Sequence, residues 1–313
     1  MKLGLQIPSF TWPGGDAAIG PTFARVVRAA DDAGFSSIWV MDHMFQIRGV
    51  GPVEEPMLEG FTALGYAAAL TRRARLGLMV GGIHYRQPGL WLKAGTTLDV
   101  LTGGRSYFGI GAAWNKEESD GLGFPFPELR DRFRMLEETL RYLREGWTGE
   151  RGTEAAFEGR TVHAERILNS PQSLSRPHPP ILIGGGGEQV TLRLVARYAD
   201  ACNLFGNPAM ISHKFDVLRE HCEDIGRDYD TIEKTNLQSV SITPDGAHGS
   251  MTPSELVDRL GTYAEVGSMH TIFSVRDVHD VSKIELIGRD VIPQVRDLGP
   301  QSPIPDPEPQ PAG

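Results

Sequence analysis

The chain has 313 residues, of which 40% are hydrophobic, enough for one large core or two ordinary ones. Its 31 basic and 40 acidic residues leave a formal charge of -9, and no basic cluster follows an aromatic run, which argues against a nucleic-acid or anionic-membrane partner. MKLGLQIPSF is a poor secretory signal and no stretch approaches transmembrane length. With only Cys202 and Cys222 present, a cytoplasmic protein with neither a disulfide framework nor a thiolate metal site is expected.

Apolar runs of strand length alternate with helix-period stretches from end to end. Strands are read at 3–7, 37–41, 76–80, 106–110, 180–183, 201–205, 237–242 and 271–275. Eight such units predict a (β/α)₈ TIM barrel rather than an open doubly wound sheet, and no GxGxxG follows the first strand. Residues 1–300 then form one domain. From Glu128 to Trp147, Leu129, Phe133, Leu136, Leu140, Leu143 and Trp147 recur at spacings of four and three, drawing a single apolar helix stripe. A second helix is read over 252–267, opening with Thr-Pro-Ser-Glu and closing at glycine. The connection before strand five is too long for a plain barrel, so an insertion is placed at about 148–180, with a weak hairpin pattern over 153–163. The end, 301–313, is proline-rich and reads as a disordered, dispensable tail.

Barrel enzymes work at the C-terminal ends of their strands. After strand two stand Asp42 and His43, either an acid orienting a proton-handling histidine or a hydrogen-bonded loop pair. After strand three come Gly81, Gly82 and Ile83, and after strand four Gly111, Ala112, Ala113, Trp114 and Asn115, where small residues leave backbone open to a ligand or allow a tight turn. After strand five, Gly184, Gly185, Gly186, Gly187 and Glu188 lead into a helix over 189–198. Backbone N–H groups bared by glycine at a helix start suit a phosphate, provided Glu188 faces away or caps the helix. Trp12, Phe45, Met57 and Trp114 are candidate walls for an apolar substrate, or packing residues. The nine histidines include no HxxxH or HxH pairing, so no metal is expected. Ser9, Ser106 and Ser274 lack the context of a nucleophile elbow.

Five segments in order, WVMDHMF, MVGGIHYRQPGLWLKAGTTLDVLTGGR, FGIGAAWNKEE, FPELRDRFRMLEETL and PPILIGGGGEQVTLRLVARYADACNLF, resemble the bacterial luciferase-like superfamily, and within it the F420-dependent oxidoreductases. The resemblance implies a barrel with an insertion, a homodimer, and hydride exchange between C5 of the deazaflavin F420 and a small organic substrate. It places Asp42 and His43 beside the deazaflavin ring as the catalytic pair, Ala112 and Ala113 against the cofactor, and Gly184 to Glu188 around its phosphate. It also implies a non-proline cis peptide behind the ring, matched to Gly82-Ile83. Trp114 stands where sugar-phosphate dehydrogenases of the superfamily keep a catalytic glutamate, which argues against sugar-phosphate oxidation. An FMN-dependent monooxygenase and a non-catalytic flavin-binding or deazaflavin-binding protein are the alternatives.

Overall fold

The computed structural model describes residues 1–149 and 155–310. Its strands are β1 (Lys2–Ile7), β2 (Ser37–Val40), β3 (Arg75–Leu78), β4 (Gly81–Gly82), β5 (Phe108–Gly111), β6 (Phe157–Glu158), β7 (His163–Ala164), β8 (Ile181–Gly184), β9 (Ala201–Leu204), β10 (Glu233–Val240) and β11 (His270–Val275). Its helices are α1 (Asp16–Ala33), α2 (Gly60–Ala68), α3 (Pro88–Leu101), α4 (Lys116–Leu122), α5 (Leu129–Thr148), α6 (Thr191–Tyr198), α7 (Pro208–Asp224), α8 (Pro253–Glu265), α9 (Val281–Asp290) and α10 (Ile292–Val295).

The large sheet is parallel throughout, in the order β3-β2-β1-β11-β10-β9-β8-β5-β4. Leu76 bridges to Ser106, the start of the β5 stave, so the two edges meet and the sheet closes as the expected (β/α)₈ TIM barrel. β3 and β4 are two halves of one stave. The ladder breaks between them where Leu78 runs against Gly109, at which a Cβ would lie 1.9 Å from the Leu78 carbonyl oxygen. The non-proline cis peptide falls in this break, at Met79-Val80, and not at Gly82-Ile83. Gly82 is back in the ladder beside Gly111, and Ile83 opens a 3-10 turn, so the chain has already left the bulge by then.

Helices α5 and α8 form where their patterns place them. Leu136, Leu140, Leu143 and Trp147 of α5 are buried, and Thr252 and Glu255 close a reciprocal capping box on α8 with Pro253 in the first turn. β10 starts four residues earlier than its apolar run, because Glu233, Lys234, Thr235 and Asn236 are polar yet buried. Neighbouring residues meet part of this capacity: Thr235 donates to Asn203 at 2.9 Å, and Asn236 to Ser268 at 2.8 Å and Thr271 at 2.9 Å, while Oδ1 of Asn236 has no partner among the described residues. In the insertion, β6 and β7 pair antiparallel, and Glu138 of α5 accepts the N–H groups of Arg160, Thr161 and Val162 at 2.7–3.0 Å. Residues 150–154 of the insertion, with the start of its expected hairpin, lie outside the described residues.

The proline-rich end is a strap rather than a disordered tail. Residues 301–310 cross the N-terminal end of the barrel, while 311–313 lie outside the described residues. Ile304, 7% exposed, joins Trp39, Tyr107, Leu182, Ala201 and Ile272. Ser302 donates to Glu233 at 2.6 Å, Arg75 to the Pro305 carbonyl at 3.0 Å, and Gln310 to the Arg72 carbonyl at 3.0 Å. Proline fixes an extended backbone and has no N–H to satisfy, so one isoleucine and a few hydrogen bonds suffice to dock the segment. Burial pushes the Glu233 carboxyl up, but His270, Lys2 and Ser302 outweigh it and hold it at about 2. Ile304→Ala is expected to lower stability by about 2 kcal/mol, read from the urea midpoint. An unchanged midpoint would mean that the strap does not contribute to the fold.

Candidate active site

The loops that follow the C-terminal ends of the staves surround a mouth. Beyond β2 the first charged side chain is Asp42, which is buried and gripped by Arg86 in a two-bond fork at 2.6 and 2.7 Å. It also accepts the N–H of Gly82 at 3.1 Å, tying the loop after β2 to β4. Arg86 is held in turn by Glu59, the N-cap of α2, and lies over the rings of Phe61 and Trp91 at 5.1 and 4.7 Å. Burial pushes Asp42 up while the Arg86 fork pulls it down; for Arg86 the two carboxylates outweigh burial and keep the guanidinium charged. Asp42 is thus the anchor of the loop.

His43 takes its carboxylate from elsewhere. Its Nδ1 lies 2.7 Å from Oε1 of Glu118, in the first turn of α4, while Oε2 of Glu118 accepts the backbone N–H of Met44 at 2.6 Å and of Phe45 at 3.2 Å. The Glu118 side chain is 0% exposed and that of His43 17%, so the imidazole shows an edge to the mouth while its carboxylate is shut away from water. Burial pushes Glu118 up, but hydrogen bonds from His43, Tyr85 and the Phe45 N–H outweigh it and hold the carboxyl below its ordinary value. Asn115 caps α4, accepting from the Glu117 N–H at 3.3 Å, and Arg48 forks onto Glu117 at 2.6 and 3.1 Å. Helix α4 therefore clamps the loop that carries His43.

The floor of the mouth is Val80. A Cβ on Gly111 would lie 3.0 Å from a methyl of Val80, and one on Gly184 2.9 Å from it, so these glycines clear space for Val80 before any ligand arrives. Gly81 is pressed against Trp91, and Gly82 against the ring of Tyr85. Ile83 is buried, and its carbonyl accepts from Trp91 at 3.3 Å. Ala112 and Ala113 are half-buried at the rim. Ala112 gives its carbonyl to Arg132 at 2.9 Å, and Ala113 sits at φ 61.

Across the mouth, Gly184 ends β8 and the next turn leads to α6, whose first residue is Thr191. Among the described residues, the N–H groups of Gly186, Gly187 and Glu188 have no backbone partner. Glu188 turns to α7, reaching Lys214 at 2.5 Å and His213 at 3.1 Å, which leaves the open N–H groups without an opposing carboxylate.

Of the four wall candidates, Trp114 is the most exposed, at 64%, with its ring edge-on to His43 at 5.5 Å between centroids. Trp12 is in the core beside Phe10, Met57 packs on the same core, and Phe45 leans on Gly121 of α4. Phe205, 58% exposed after β9, is a rim residue the sequence reading passed over. Arg86 was passed over as well, and Glu118 reads in the sequence only as an acid near Trp114 and shifted from it, not as the partner of His43. Glu118 carries a signal in the Asn115 cap, which predicts a short helix directed back at the loop after β2; for Arg86 we find no local signal. Among the described residues no helix is long and apolar enough to cross a membrane, and no group of His, Cys, Asp and Glu is placed to hold a metal.

The protein is thus a parallel α/β barrel with a carboxylate-oriented histidine on one side of its mouth and a glycine turn with unpaired N–H groups on the other. The chain belongs to the luciferase-like monooxygenase family, whose model matches residues 1–248. An F420-dependent glucose-6-phosphate dehydrogenase of Nakamurella multipartita is 27% identical to it over 335 aligned positions, covering 89% of this chain and 94% of the relative. The coenzyme F420 dependent tetrahydromethanopterin reductase of Methanopyrus kandleri shares the fold, with a TM-score of 0.75 at 19% identity over 93% of this chain and 98% of that one. So does a riboflavin lyase solved with modified FMN and riboflavin, at a TM-score of 0.79 and 15% identity, covering 98% and 94%.

Beneath the pair, the Nε2 of His84 lies 2.8 Å from Ser119 while its buried Nδ1 has no partner among the described residues. Burial, aided by the charge of Arg132 and opposed by Glu118, pushes this imidazole down to about 4 from its ordinary 6.5. Between pH 6.5 and 4 the unfolded chain therefore binds a proton that the fold refuses, and stability falls as pH falls through that window. In urea titrations at pH 7 and 4.5, the wild type is expected to lose more stability than His84→Gln; an equal loss in the two proteins would contradict the assignment.

Proposed function

We propose that this protein is an F420-dependent oxidoreductase that exchanges hydride with a small organic substrate at the barrel mouth. The observation that carries the reading is the pairing of a buried, ionised Glu118 with the partly exposed His43 across the mouth from the open N–H groups of Gly186, Gly187 and Glu188. The residues present fit such a cofactor. The glycine turn offers unpaired donors to a phosphate, Glu188 is turned away and neutralised, and Val80 gives an apolar surface on which a flat ring can rest.

When bound, F420 supplies the hydride chemistry at C5. The chain's own part is to bind, orient and manage a proton. His43 exchanges that proton with the substrate through the ring edge turned to the mouth, Glu118 stabilises the imidazolium while it is charged, and Trp114 screens the pair from one side. Asp42 serves through Arg86 and Gly82 by holding the loop in place.

An FMN-dependent monooxygenase is the second reading, favoured by the shared fold with a riboflavin lyase that holds FMN. The F420-dependent sequence relative at 27% identity supports the first. Fluorescence titration of the purified protein separates them: F420 fluorescence is expected to be quenched at micromolar protein while FMN is left free, and tight FMN binding without F420 binding overturns the proposal. Given a substrate, His43→Ala is expected to lower kcat by about 10²- to 10⁴-fold with cofactor affinity nearly unchanged. Full turnover in that variant would leave a binding protein or a different proton donor.

A further inference from the structure

Glu118 has more partners than a helix staple requires. One oxygen, Oε2, faces two backbone donors, the N–H groups of Met44 and Phe45, and the other, Oε1, faces Nδ1 of His43. Tyr85 also acts on the carboxylate and helps to hold it ionised. Every one of these groups can donate to Glu118, and an ionised carboxylate can only accept. The proton on neutral His43 must therefore sit on Nδ1, leaving Nε2 as a bare lone pair on the edge that meets the mouth.

We infer that Glu118 is the positioning residue of the active site: it fixes His43 in the Nδ1–H tautomer and so makes Nε2 a proton acceptor. The inference rests on His43 being the proton-handling residue of the mouth. So held, His43 accepts a proton at Nε2 while neutral and returns it from the same atom once charged, so one ring nitrogen serves the mouth in either direction. The other titratable groups around the pair do not compete for this role. Tyr85 is pushed far up by burial and by Glu118, His84 is held neutral below it, Arg132 is engaged with Ala112 and Pro127, and Asp42 is taken by Arg86.

Nitrogen-15 NMR of the cofactor-free protein reads the tautomer directly, without depending on which flavin the site takes. At pH 8 the wild-type His43 signals are expected to show a protonated Nδ1 and a bare Nε2; a protonated Nε2 overturns the inference. Glu118→Gln supplies the sharper arm. The two N–H groups of Met44 and Phe45 hold the amide oxygen at the Oε2 position, so the amide NH₂ takes the Oε1 position and donates to Nδ1. His43 then carries its proton on Nε2, and the signals invert. Given a substrate, kcat is expected to fall by about 10³-fold or more while KM moves by only a few fold, as for other histidines forced into the wrong tautomer. Unchanged signals in a folded Glu118→Gln protein overturn the inference. If F420 fails to bind while the signals invert, the cofactor assignment fails and the positioning role stands.

Discussion

The carbonyl oxygen of Leu78 occupies space that any side chain at position 109 would claim, and the architecture of the mouth follows from that contact. Because residue 109 is glycine, the third stave can lean in, leave its ladder for Met79 and Val80, and rejoin at Gly81 beside Ile110. Val80 then packs against Gly111 and Gly184, which carry no side chain to exclude it. A parallel barrel has a packed interior, so something must end the packing where a ligand is to sit, and a short aliphatic side chain on a bulge gives a flat apolar floor without opening the core below.

Around that floor the charges divide their work. Asp42 and Arg86 form a closed structural unit whose hydrogen-bonding capacity goes to Glu59, Gly82 and two aromatic faces. Glu118 and His43 form the open unit, because one edge of the imidazole is left facing the mouth. Removing one partner of a buried ion pair leaves an uncompensated charge, so loss of Arg86 or of Glu118 acts well beyond its own contacts. The opposite end of the barrel is sealed by the strap, with Ile304 in the core and Glu233 held ionised by Lys2, His270 and Ser302.

Much of this was legible in the chain. Apolar runs and helix stripes located all eight staves, the α5 stripe and the α8 cap, because burial and capping are local signals. What the sequence concealed depends on contacts between distant residues. The nearest acid to His43 is Asp42, yet its partner is Glu118, 75 positions on. Gly111 and Gly184, which read as room for a ligand, make room first for Val80, 31 and 104 positions away. β10 hid behind a polar start because its partners lie on neighbouring staves, and the strap hid because a proline-rich, polar segment ordinarily has too little apolar surface to dock.

A structure of the protein with F420 bound bears most directly on the account. It is predicted to show the ring resting on Val80, its phosphate on the N–H groups of Gly186, Gly187 and Glu188, and Nε2 of His43 facing the substrate side of C5. A ring seated away from Val80, or a phosphate bound anywhere but the glycine turn, would contradict it.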